Sequence, residues 1–93
     1  MKFEWDETKR LSNLEKHGID FRDVEGFAFS HVLLRFINRD GELRRRAVSF
    51  LGNHIHVMVY VLRDGTLRVI SLRRANRREA IRYLAAKDHP ADG

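Results

Sequence analysis

The stretch Arg68-Val-Ile-Ser-Leu-Arg-Arg-Ala-Asn-Arg-Arg-Glu-Ala-Ile-Arg82 gathers six arginines around the end of an apolar strand and the start of a helix. Asn76 is spaced to cap that helix, and Glu79, three residues on, completes a capping box. A helix N-terminus already carries partial positive charge, so arginines packed around it repel unless an anion sits among them. That local cost points to a polyanionic partner, with phosphate the first candidate.

Other residues offer chemistry of their own. His17 ends a helix-like segment, where it suits a phosphate ligand or general acid, or simply caps the helix. Glu42, Arg44, Arg46, Val48 and Phe50 share one side of a strand, and Arg68, Ile70, Leu72 and Arg74 share one side of another. If Arg44, Arg46, His56 and Tyr60 meet on an uncovered sheet face, they form a cationic groove able to hold single-stranded RNA. The same residues also suit an ordinary soluble surface with Tyr60 packed beneath it. His54 and His56 point the same way and could share a metal. Only distant His31 or Glu42 could complete the ligand set, so neither a metal nor a cofactor is expected. No nucleophile triad, phosphate-cradling glycine loop or pair of catalytic carboxylates is recognisable.

Charge placement strengthens the anion reading. Residues 1–30 hold five basic and seven acidic residues, whereas residues 31–93 hold thirteen basic and six acidic. Arginine supplies 14 of the 18 basic residues. Its fork binds phosphate bidentately and stacks on bases, which lysine does not do. The chain has no cysteine, which fits a reducing cytoplasm. Its opening, Met1-Lys-Phe-Glu-Trp-Asp6, lacks the apolar core of a signal peptide, and no apolar run reaches membrane-spanning length. A cytoplasmic protein without a membrane partner is expected.

The 93 residues suit one domain, expected over 1–87 with a frayed tail at 88–93. Asp6 caps a predicted helix over Glu7–His17, with Leu11 and Leu14 as its apolar face and Gly18 as its left-handed stop. Asp20 caps a second, shorter helix carrying Phe21 and Val24. Strands are predicted over His31–Asn38, Glu42–Leu51, His54–Arg63 and Thr66–Ala75, with Asp64-Gly65 as the strongest hairpin turn. A last helix covers Arg77–Lys87, and Lys2–Trp5 is a candidate edge strand. In the third strand Ile55, Val57, Val59 and Val61 are expected beneath a helix, while His54, His56, Met58 and Tyr60 face outward. The result is an α+β domain with two N-terminal helices, a four-stranded antiparallel sheet and a C-terminal helix.

Phe3-Glu-Trp-Asp6, Lys9, Asn13 and Lys16-His-Gly-Ile-Asp-Phe21 resemble the opening of BrnT toxins, ribonuclease components of a bacterial type II toxin–antitoxin system. Gly41-Glu-Leu-Arg44 resembles that family's central hairpin, and Arg68–Arg78 with Glu79 and Tyr83 its closing motif. The resemblance runs in order over roughly residues 2–84. The strand His31-Val-Leu-Leu-Arg-Phe-Ile37 departs from it, since many relatives are more acidic there. The resemblance implies a RelE-like fold, RNA cleavage that lowers translation, and a BrnA-like ribbon-helix-helix antitoxin through which operator DNA is bound. The ribosome is a further partner it suggests. Carried onto matching positions, the candidates are Trp5, Lys9, Lys16, His17, Glu42, Arg44, Arg73, Arg74 and Tyr83.

The expected function is therefore a metal-independent endoribonuclease. His17, Glu42, Arg44, Arg73 and Arg74 form its catalytic set, with Glu42 as base. Trp5, Lys9, Lys16, Arg46, Tyr60, Arg68, Arg77 and Tyr83 are expected to bind RNA. The alternative is a non-catalytic module whose basic face docks a nucleic acid or a protein.

Overall fold

Two Asp-Gly dipeptides organise the sheet. Asp40 and Gly41 have φ of 51° and 81°, and Asp64 and Gly65 have 51° and 78°. Positive φ at both central residues is the primed turn whose twist matches that of the flanking strands. The first turn joins β2 (Leu33–Arg39) to β3 (Glu42–Leu51), and the second joins β4 (His54–Arg63) to β5 (Thr66–Arg74). The computed structural model describes residues 1–88. The tail expected at 88–93 lies outside the described residues except for Asp88, which closes the last helix.

The four expected strands pair antiparallel, but the sheet has five. β1 (Lys2–Trp5) adds to it parallel to β5, giving the order β1-β5-β4-β3-β2. Its alternation explains the addition, because Phe3 and Trp5 turn into the main core while Lys2 and Glu4 stay exposed. One α-helix, not two, precedes the meander: α1 (Glu7–His17). The second expected helix is a 3₁₀ helix over Phe21–Gly26, capped by Asp20. Its two buried residues, Phe21 and Val24, are three apart, the spacing that a 3₁₀ helix eclipses on one side. α2 (Arg77–Asp88) closes the described chain. No helix among the described residues is long and apolar enough to cross a membrane.

The sheet faces are covered the opposite way from expectation. Met58 and Tyr60 lie in the main core with Ala47, Leu72, Phe21, Val24 and Phe27. Val57 belongs to a smaller cluster with Val48 and Tyr83 of α2. The aromatic-rich segment after α1 decides this, since Phe27 and Phe29 pack edge to face and Phe29 meets Tyr60 the same way. α2 is short and covers only one end of the other face.

α1 also differs in what it buries. Leu11 is exposed, and the buried residues of the helix are Arg10 and Asn13. The reason lies at the edge of β5, where the Asn13 amide donates to the Leu72 carbonyl at 2.7 Å and accepts from its N–H at 3.2 Å. Asn13 takes the place of a neighbouring strand just beyond the reach of β1, and it donates again to the Ile19 carbonyl at 3.0 Å. Arg10 bridges Glu7 and Asp20, tying α1 to the 3₁₀ helix.

Candidate functional site

A bulge in β5 decides which arginines share a face. Val57 pairs with Arg73 and Val61 with Arg68, so five residues on β4 span six on β5, with the irregularity at Val59/Tyr60. Ile70 is the extra residue. Strict alternation puts Arg68 with Arg74. The bulge puts Arg68 with Arg73 instead, on the same side as Arg44 and Arg46.

That side carries parallel cross-strand rows. Leu33, Val48, Val57 and Arg73 make the row at the edge of α2. Arg35, Arg46, Val59 and Ser71 make the next one. Beyond it lie Ile37 with Arg44, then Val61, Arg68 and Glu4. α2 covers the first row and the Phe50–Ile55 pair on its far side. The others form an open, arginine-rich surface on which Val61 is buried and Val59 partly so.

Glu79 stands where this surface meets α2. Arg73 donates to both of its carboxylate oxygens at 2.8 Å, and Arg46 donates to one of the same pair. The Asn76 N–H donates to Glu79 at 2.9 Å, while the Asn76 side chain accepts from the Glu79 N–H at 2.8 Å, completing the capping box. The Arg73 hydrogen bonds, helped by the Asn76 amide and Arg46 against partial burial, hold the Glu79 carboxyl down at about 2. One carboxylate thus orders two guanidinium groups, leaving the cluster net positive with N–H donors to spare.

At its other end the Arg46 row runs into α1. Ser71 and Ile70 form, with Lys9, Ser12, Lys16 and His17, a cleft of about 170 Å³ between helix and sheet. Three candidates on α1 are therefore brought beside Ser71, which lies far from them in sequence. Fixed cations, donors and an exposed imidazole along one open face can hold a phosphodiester and stabilise charge developing on it.

Other candidates lie elsewhere. Glu42 bonds Arg44 at 3.0 Å and approaches Arg63 at 3.9 Å, beside the β2–β3 turn. It sits four residues along β3 from Arg46, roughly 13 Å, so Glu42 and His17 do not converge on one phosphate. Arg74 pairs with His56 and meets His54 Nδ1 at 2.7 Å, off the open rows. Arg77 is exposed in the first turn of α2. Arg68 stays on the open face, 3.7 Å from Glu4.

Three aromatic candidates are packing residues. Trp5 stacks edge to face on Phe21 in the main core. Tyr60 and Tyr83 are 7% and 3% exposed, so neither ring offers a face to a base. The Tyr83 hydroxyl donates to the His31 carbonyl at 2.6 Å. His56 is also buried, its Nδ1 on the His54 carbonyl at 2.8 Å, and burial lowers its proton affinity. Arg35 and Ser71, absent from the candidates, join the site through register, which sequence does not carry.

A family model described as "Ribonuclease toxin, BrnT, of type II toxin-antitoxin system" matches residues 5–79. No curated protein matches the chain. The solved structure of the Brucella abortus ribonuclease toxin BrnT is similar to it at 33% identity, over 83% of this chain and 99% of that one, with a TM-score of 0.69.

Proposed function

The chain belongs to the BrnT family of ribonuclease toxins of type II toxin–antitoxin systems, and we propose that it cleaves RNA on the open sheet face between Arg46 and the α1 cleft. The observation that carries this is the row Arg35–Arg46–Val59–Ser71, which ends against Lys9, Lys16 and His17.

In this reading a single strand lies across the rows with its phosphates on Arg35, Arg44, Arg46 and Arg68. The 2′-oxygen attacks the adjacent phosphorus and its proton passes to water. As the O2′–P bond forms and the P–O5′ bond breaks, His17 gives a proton to the departing 5′-oxygen. The products are a 2′,3′-cyclic phosphate and a 5′-hydroxyl. Arg46, Arg73 and the two lysines stabilise the phosphorane charge, a role that needs no metal. Glu42 orders Arg44 at the far end of the surface and does not serve as base.

The partners are read from the same surface. A BrnA-like ribbon-helix-helix antitoxin covers part of it with acidic side chains and links the pair to operator DNA, in a cytoplasmic complex that spares translation until released. The 1–87 segment acts as one domain, and the ribosome is a further partner.

The test is cleavage of single-stranded RNA by purified protein in EDTA, with end-group analysis. Cyclic-phosphate ends that vanish with His17→Ala are the expected result. Activity recovered only on adding a divalent cation, or unchanged in His17→Ala, would refute the scheme.

A further inference from the structure

The cleft between α1 and β5 has features that a phosphate alone does not require. β1 stops pairing with β5 at Val69, and Asn13 clasps β5 at Leu72. Between them, Ile70 and Ser71 have no strand on their outer side, and Ile70 has no partner on β4 either. A sheet edge without a neighbour leaves peptide groups seeking hydrogen bonds. Here that edge lies at a cleft supplied with an apolar side chain, Ile70, and two hydroxyls, Ser12 and Ser71. Asn13, Lys9, Lys16 and His17 complete the lining. Its volume of about 170 Å³ is well below the roughly 300–1,000 Å³ of sites for drug-sized ligands.

We propose that this cleft takes one unpaired nucleobase of the RNA, placing its flat face against Ile70 and its polar edge against Ser71 and the free strand edge. Lys9 and Lys16 then hold the phosphates on either side of that nucleotide. The cleft opens at Ser71, the end of the arginine row, so a strand following the row reaches it with one base turned inward. The cleft is thereby the element that sets sequence preference, whereas the arginine rows contact backbone common to every sequence. This rests on the reading of the face as a ribonuclease surface.

The proposal is tested by binding, independently of cleavage. A short single-stranded 2′-fluoro RNA has no 2′-hydroxyl to attack and stays intact. An abasic nucleotide is walked along it and affinity is measured by fluorescence anisotropy. One position should lose roughly tenfold in Kd when its base is missing, with small effects elsewhere. Ser12→Trp, a substitution at an exposed helix position that fills the cleft, should abolish that dependence, as should Ser71→Trp. Equal tolerance of abasic sites at every position would overturn the base cleft, as would a position dependence that survives both variants. A clear position dependence in a protein that never cleaves natural RNA would keep the cleft and remove the ribonuclease scheme.

Discussion

Arg73 grips Glu79 through both terminal guanidinium nitrogens, at 2.8 Å each, so a strand end and a helix start are locked by one ion pair. The capping box presents the carboxylate of Glu79, and Arg46 shares it from across the sheet. The pair therefore sets the angle at which α2 leaves β5 and fixes where two arginines point. It does not neutralise the surface, because Arg35, Arg44 and Arg68 lie beyond its reach.

Acid should weaken the fold through this carboxylate. Its folded value of about 2 lies below the roughly 4.3 of an unfolded glutamate. The stability it contributes is present above about pH 4.3 and is lost as pH falls toward 2. Asp20, held at about 2 chiefly by its hydrogen bonds from Arg22, acts with the same sign. Thermal melts from pH 6 to pH 2.5 should show Tm falling through this window. Glu79→Gln should melt lower at pH 7 and show a shallower decline. A decline as steep as that of the unaltered protein would show that the pair has no such role.

Asn13→Leu should be among the most destabilising single changes in α1, although it makes the helix more apolar. It strands the N–H and carbonyl of Leu72 at a buried edge, each costing about 1–3 kcal/mol. For a domain of this size each kcal/mol lowers Tm by roughly 4–8 °C. Leu11→Ala, at an exposed position of the same helix, should shift Tm by only a degree or two. Differential scanning calorimetry of the two variants gives the comparison, and equal melting temperatures would count against the clasp.

Much of this fold is legible in the sequence because its signals are local. Asp6 and Gly18 bound α1, the Asp-Gly turns set two hairpins, and Asn76 with Glu79 starts α2, each through contacts no more than four positions apart along the chain. What sequence does not carry is parity across the sheet. The bulge at Ile70 leaves no mark in the alternation of Arg68-Val-Ile-Ser-Leu-Arg73, yet it moves Arg68 to the face of Arg73. Leucines at helical spacing in α1 likewise suggest an apolar inner face, whereas a polar helix face is what an unpaired strand edge demands. The cleft is half legible: Lys9, Lys16 and His17 are readable as a set, but Ser71 enters only through tertiary packing.

Tyr83→Phe should separate packing from chemistry. The hydroxyl bonds the His31 carbonyl at 2.6 Å and lies 3.4 Å from Ser49 Oγ, so its loss should cost about 1 kcal/mol of stability. Cleavage per folded molecule should hold within about twofold, because the ring faces the small core and not the open rows. Urea unfolding alongside a cleavage assay checks both halves. A large fall in rate at unchanged stability would return Tyr83 to the active surface.

Arg45 and Arg46 are neighbours in sequence on opposite faces of β3, which makes them a test of the whole arrangement. Arg45 lies across from Tyr60 and stacks over Phe36, its guanidinium carbon 4.9 Å from the ring centre. Arg46 faces the open rows, bonded to Glu79 and one strand away from Val59. Each replacement by alanine removes one positive charge, so any effect of net charge is common to both. Arg46→Ala should lower cleavage roughly 10²-fold and make the dependence of log Kd on log salt shallower by about one. Arg45→Ala should leave the salt slope nearly intact and act mainly on the packing of Phe36. RNA binding titrated at several salt concentrations, beside single-turnover cleavage, reads both quantities. If the two variants behaved alike, long-range charge would explain RNA binding, and the face defined by the β5 bulge would lose its special place.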